Sequence, residues 1–256
     1  MFRPLDALIA AVNRRDPAAR FIFVGDYINR GPDSRRVIER LLTLKDATFL
    51  RGNHDDIFDL VLHGDCYMCP TNAPDPISAF AWFMQHGLAE TLMSYGADSA
   101  ELESIARRPS ARHIEQVIRA VPAPHRQFIR ELRPSFETDD FFVAHGYWDP
   151  DSRDDDPNLA APLARSPELR YKLLWGRFTD AQIRRKKRWS RTGYFGHTPV
   201  LNYASAKGMS EPIRGAGIVL LDTAVALSAS GMLSAVCAES GTVLQSDRAG
   251  DTMELP

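Results

Sequence analysis

The stretch Phe21 to Asp33, FIFVGDYINRGPD, decides how this chain is read, and Phe49 to Asp55, FLRGNHD, echoes it. Each is a short apolar run that stops abruptly at Gly and a cluster of polar side chains. Buried parallel strands look like this, and in open α/β sheets ligands collect where such strands end. Asp26, Asn53 and His54 therefore belong side by side at one rim. Two later pieces, Phe141 to Gly146 (FFVAHG) and Tyr194 to Thr198 (YFGHT), repeat the pattern and each delivers a His next to Gly. Strand ends that supply Asp, Asn and His predict a metal centre, because carboxylate, amide carbonyl and imidazole are the donors that divalent cations share.

Working outward, Pro4 suits a first helical turn, and Leu5, Leu8, Ile9 and Val12 make one apolar face. A polar loop over 13–19 leads into a strand at 20–24. A helix begins at Pro32-Asp33-Ser34 with Val37, Ile38, Leu41 and Leu42 facing the sheet, and a strand follows at 47–50. This is a β-α-β unit preceded by a helix with no strand in front of it, so a first strand is expected to be missing. From Ile57 to about 134 apolar residues recur at helical spacing (Ala79-Phe80-Trp82-Phe83, Leu88-Leu92-Met93, Ile114-Val117-Ile118), which predicts a helical insertion that either shapes substrate access or is scaffold. Strands return at 141–144, 193–196, 217–222, 232–238 and 242–246, with a helical piece around Leu169 to Trp175, and Gly231 and Gly241 suit hairpin turns. The expectation is one α/β domain over 1–256.

Composition narrows the function. The chain has 256 residues, 44% hydrophobic and 25% charged, with a formal net charge of −2, so composition implies no nucleic-acid partner. No run is long and apolar enough to span a membrane. The N-terminal MFRPLDALIAAVNRR reads as an amphipathic helix and not as a secretory signal, so the cytoplasm is the expected location.

GDYINRG, RGNHD, FVAHGYWDP and FGHTP, in this order, resemble the motifs of the calcineurin-like metallophosphoesterases, in the phosphoprotein phosphatase branch. The resemblance implies a four-layer α/β/β/α sandwich and two divalent metals, Mn first, with Fe or Zn as alternatives. Asp26 would bridge the metals, and Asn53, His145 and His197 would complete one site. Tyr147 stands where a second Gly follows the His-Gly of this motif, and Ala224 stands where Asp222-Thr223 is ordinarily followed by Gly. The family's opening Gly-Asp-x-His-Gly motif, which supplies two ligands of the other site, has no match here, so only one site is fully supplied.

The same resemblance implies hydrolysis of a phosphate ester by attack of metal-bound water. Arg30 and Arg177 would bind phosphate, with Arg191 a weaker rival, because a guanidinium clamps phosphate oxygens bidentately. His54 would be the general acid. Asn29 occupies the place of a carboxylate that keeps this His protonated. An amide can accept a hydrogen bond from the ring but brings no charge, which predicts a less effective acid and a lower pH optimum. A phosphorylated protein is the favoured substrate, which makes the chain serine/threonine protein phosphatase-like. A nucleotide substrate, as for a dinucleoside tetraphosphate hydrolase, is the alternative, and an impaired one-metal binding protein is the reading from another class.

Other features read as plain surface. Cys66-Tyr-Met-Cys69 lacks a second Cys pair for zinc, so a reduced loop is expected. The basic run Arg184 to Arg188 is expected to be a solvated face, and the acidic loop 149–157 lacks the Gly and terminal Glu of a calcium loop.

Overall fold

A period of two along the strands builds the architecture. In this computed structural model, residues 1–67, 75–148, 159, 166–187 and 190–255 are described. The helix α1 (Phe2–Arg15) precedes β1 (Phe21–Phe23), and α2 (Ser34–Leu41) crosses to β2 (Ala47–Phe49), which pairs parallel with β1. Helices α3 (Asn53–His63), α4 (Pro76–Phe83), α5 (Ala89–Ser94), α6 (Ser99–Arg107), α7 (Ala111–Ala120) and α8 (Ala123–Arg130) follow. A five-stranded sheet comes next in the order β3-β4-β5-β7-β6. Its inner strands β4 (Phe141–Ala144), β5 (Thr192–Phe195) and β7 (Ile218–Leu220) run parallel, and β3 (Ser135–Glu137) and β6 (Ile213–Arg214) are antiparallel edges. The chain closes with an antiparallel sheet of β8 (Leu233–Val236), β9 (Val243–Ser246) and β10 (Thr252–Leu255).

Alternate residues of each strand serve different cores. Phe21 and Phe23 of β1 join Phe49 and Leu233 against the helices α1–α8. Ile22 and Val24 turn the other way, to Val143, Tyr194, Val219 and Val236. Phe142, Ala144, Phe195 and Leu220 point away from that middle layer, onto Leu173 and Ile183 of the later helices Pro167–Trp175 and Asp180–Arg184. Helices, small sheets, five-stranded sheet and helices therefore stack in four layers, the α/β/β/α sandwich expected from the sequence.

The strands facing the helical layer are only half-buried along β1, β2 and β8, whereas β4, β5 and β7 are buried. Among the described residues no ladder joins β1 to β8.

Three details differ from the sequence reading. Asn13 to Arg15 continue α1, where the basic Arg14 and Arg15 suit the helix C-terminus. The short edges β3, β6 and β10 were not anticipated, because two to four residues leave too little alternation to read. Gly241 does serve a hairpin, at φ +75°, but Gly231 is needed for close approach: a side chain there would strike the Ala224 carbonyl, where the two segments bridge.

The helical stretch starts at Asn53 rather than Ile57, so Asn53 and His54 occupy the first turn of α3. Buried Arg51 secures α3 to the end of α8, pairing with Asp56 at 3.0 Å and Asp59 at 2.7 Å and donating to the Ile129 and Arg130 carbonyls. Among the described residues no helix is long and apolar enough to cross a membrane. Cys69, Arg188 and the acidic loop 149–157 lie outside the described residues. Arg184 pairs with Asp180, and Lys187 is buried with its ammonium donating to the Gln182 carbonyl, so the basic run is not a uniformly solvated face.

Candidate metal centre

Two strand-end corners meet because each carries a glycine. Gly25 has φ +100°, and a Cβ there would stand 2.6 Å from the Gly52 nitrogen and 2.8 Å from His145 Nδ1. A side chain on Gly52 would collide with the Asp26 carboxylate. Asp55, at the third position of α3, ties the corners: its carboxylate accepts from the N–H groups of Asp26 (2.7 Å), Tyr27 (3.0 Å) and Gly52 (2.9 Å). Burial and the Asp26 charge push Asp55 up to about 8, against the pull of these three donors. Asp26, Asn29, Arg30 and His197 all have positive φ, between 57° and 71°. Left-handed backbone at four non-glycine residues costs free energy and concentrates where function demands it.

Asp26, Asn53, His145 and His197 converge. His145 Nδ1–H donates to the Val24 carbonyl at 2.7 Å, which leaves Nε2 to face Asn53 Oδ1 at 3.0 Å and Asp26 Oδ2 at 3.5 Å. His197 Nδ1 lies 2.9 Å from the same Asn53 oxygen, and its Nε2 is buried without a partner. Ligand atoms of Asp26, His145 and His197 lie within 4.8 Å of one another.

Oxygen and nitrogen atoms of carboxylate, amide and imidazole gathered this closely are a donor set for a divalent cation. Donors bonded about 2.1 Å from one ion stand about 3.0–3.4 Å apart, for right-angle to tetrahedral arrangements. The two Asn53 separations, 2.9 and 3.0 Å, and the 3.5 Å from His145 to Asp26 lie close to this range, so these residues fit a divalent ion. Burial opposes the Asp26 charge, but His145 foremost, then His54 and His197, outweigh it and hold the group below the usual carboxylate range. Burial, then the His145 charge, pushes His197 down to about 3, leaving a neutral imidazole suited to a cation.

His54 is held from behind. Its backbone N–H donates to Asp26 Oδ1 at 3.1 Å, and its Nδ1 lies 2.8 Å from Asn29 Nδ2. Thr91 lies behind the amide: its hydroxyl is 2.9 Å from Asn29 Oδ1 and accepts the Asn29 backbone N–H at 2.8 Å. Ser34 Oγ lies 3.0 Å from the same Thr91 oxygen. The amide nitrogen thus faces the ring in this structure, where the sequence reading placed an acceptor. Burial first, with Arg30 adding repulsion, lowers the His54 pKa despite the Asp26 charge.

A cleft of about 280 Å³ opens onto this centre and is lined by Asp26, Arg30, Asn53, His54, Arg177 and His197, with Trp82, His86 and Trp175 on one side. Among the described residues, Arg30 and Arg177 have no hydrogen-bond or ion-pair partner. Arg191 is elsewhere, paired with Glu137 at 3.1 Å.

The family model for calcineurin-like phosphoesterases matches residues 2–176. The chain belongs to this family. Curated relatives include symmetrical bis(5'-nucleosyl)-tetraphosphatases of Coxiella burnetii. The protein of strain RSA 331 / Henzerling II is 27% identical over 143 residues, 48% of this chain and 46% of the relative. That of strain Dugway 5J108-111 is 28% identical over the same length. The chain thus spans about half the length of the curated relatives it matches. Among solved structures, a single-residue mutant of a cold-active protein tyrosine phosphatase gives a TM-score of 0.45 at 14% identity, covering 99% of this chain and 77% of the other. A metallophosphoesterase from Sphaerobacter thermophilus gives 0.40 at 16% identity, covering 99% and 84%.

In this calcineurin-like phosphoesterase the sequence reading missed residues that build the site without carrying its motifs. Asp55 was legible as an acidic residue three positions into a helix, where it can cap. Thr91 had no signal, being 62 positions from Asn29. Trp82 was read only as part of a helical insertion; it is 40% exposed and lines the cleft.

Proposed function

We propose that this chain hydrolyses phosphoric esters or anhydrides with a divalent cation, Mn, Fe or Zn, held by Asp26, Asn53, His145 and His197. The observation that supports it is the convergence of these donors beside His54 and two unpaired arginines in one cleft. When bound, the cation supplies Lewis-acid polarisation of the phosphoryl group and activation of water. Arg30 and Arg177 orient the phosphoryl oxygens and balance their charge. Asp26 accepts the His54 backbone N–H and so fixes where that residue enters the site.

The leaving group separates two substrate readings. With Asn29 donating to Nδ1, His54 is neutral and presents Nε2–H, a hydrogen-bond donor rather than a spare proton. A serine alkoxide needs a proton to leave, whereas a polyphosphate leaves as a stable anion. The geometry thus favours a nucleoside polyphosphate over the phosphoprotein that the motifs alone suggest, and the names of the Coxiella burnetii relatives point the same way. Comparing kcat/KM for diadenosine tetraphosphate and a phosphoserine peptide, with Mn²⁺ present, tests this. At least a tenfold preference for the dinucleotide is expected, and the reverse order would restore the phosphoprotein reading.

A further inference from the structure

Four aromatic side chains continue outward from the metal-binding residues as one wall. Trp175 lies 6.2 Å from the His197 ring, Trp82 6.0 Å from Trp175, and His86 stacks on Trp82 at 3.9 Å with 23° between planes. The Tyr171 ring lies nearly parallel to Trp175, centres 6.2 Å apart and 13° between planes. Such rings are ordinarily buried, yet Trp82 and Tyr171 are 40% and 49% exposed.

The wall is deliberately built. The turn Met84–Leu88 leaves regular helical geometry, with His86 at φ −115° and Gly87 at φ +97°, and His86 Nδ1–H donates to the Trp82 carbonyl at 2.8 Å. This turn is the break between α4 and α5. The same turn packs Gly87 against the Arg30 backbone, so the wall and the phosphate-binding arginine are set by one contact.

We propose that Trp82 and Trp175 form a docking surface for a planar ring carried by the phosphorylated substrate. A flat ring stacks on such a face through dispersion and its quadrupole, whatever its hydrogen-bonding edge. The two indoles are tilted by 58° and stand 6.0 Å apart, too close to admit a ring between them, which needs about 7 Å. The ligand ring therefore rests on the face they present to the cleft, while Arg30 and Arg177 hold the phosphate. This gives the helical insertion a role in selecting the substrate. It rests on the phosphoester reading and deepens it, since it places one ring of a nucleotide.

The test is titration calorimetry of the Mn²⁺-equilibrated protein with AMP, ribose 5-phosphate, phenyl phosphate and inorganic phosphate. AMP is expected to bind about tenfold or more tighter than ribose 5-phosphate, with the advantage falling towards one in Trp82→Ala and in Trp175→Leu. Thermal unfolding of each variant checks that its fold is kept. Tightening by AMP alone assigns the surface to a nucleobase, and tightening by phenyl phosphate as well extends it to aryl esters. A ratio near one in the unsubstituted protein, or one that survives both substitutions, would overturn the inference while leaving the phosphoester reading intact. Failure of all four probes to bind would overturn that reading and this inference with it.

Discussion

Asn29 donates its side-chain N–H to Nδ1 of His54 across 2.8 Å, where an acceptor would be needed to hold the ring doubly protonated. Replacing Asn29 by Asp supplies that acceptor and a charge. The alkaline limb of the kcat/KM profile should move up by about one pH unit in Asn29→Asp, since a nearby carboxylate favours imidazolium. Turnover of phosphoserine should rise relative to diadenosine tetraphosphate. An unchanged pH–rate profile would contradict the assignment of His54.

The cation-free protein should lose stability in mild acid through His197. Its folded-state pKa, about 3, lies below the unfolded value near 6.5, so as pH falls the unfolded chain takes up the proton first. The loss begins near pH 6.5 and grows downward, reaching roughly 2 kcal/mol from this residue between pH 6.5 and 5. Urea unfolding with chelator at pH 7.5 and 5.0 measures it. His197→Gln should show a pH dependence smaller by that amount, and equal dependence in both proteins would refute the cause.

Gly87 should prove indispensable to activity although it makes no ligand contact. A Cβ there meets the Arg30 nitrogen at 2.6 Å on a backbone at φ +97°. Gly87→Ala should destabilise by about 1–3 kcal/mol and raise KM for phosphate esters at least tenfold, through a displaced Arg30. Steady-state kinetics beside unfolding separate the two effects, and a stable variant with normal KM would show that the contact is incidental.

What the sequence reveals and what it hides divide along physical lines. That Asp26, Asn53, His145 and His197 come together was legible because each follows a strand-type run that stops abruptly, while their role as ligands was implied only by the resemblance. The orientation of Asn29 was not, because it depends on Thr91 and Ser34, which the fold alone brings near. The place of Trp82 in the cleft was not legible, because helical periodicity reports an apolar face without saying whether core or cleft lies opposite it. The positive φ values of Asp26, Arg30 and His197 leave no trace in residue type, since none of these is Gly.

Ala224 is the departure with a measurable cost. It sits at φ 65° and is buried, where the family pattern has Gly. The left-handed conformation costs a residue with Cβ about 1–2 kcal/mol, partly offset because glycine frees the unfolded chain. Ala224→Gly should therefore stabilise the protein by about 0.5–1 kcal/mol in denaturant unfolding, and a loss of stability would mean that the methyl group's packing outweighs the strain.

The central claim is that Asp26, Asn53, His145 and His197 hold a divalent cation, and Mn²⁺ titration calorimetry tests it most directly. Saturable binding at one site per chain is expected, weakened at least a hundredfold in Asp26→Ala and in His145→Ala. Absence of saturable binding, or binding that both substitutions leave unchanged, would contradict the account.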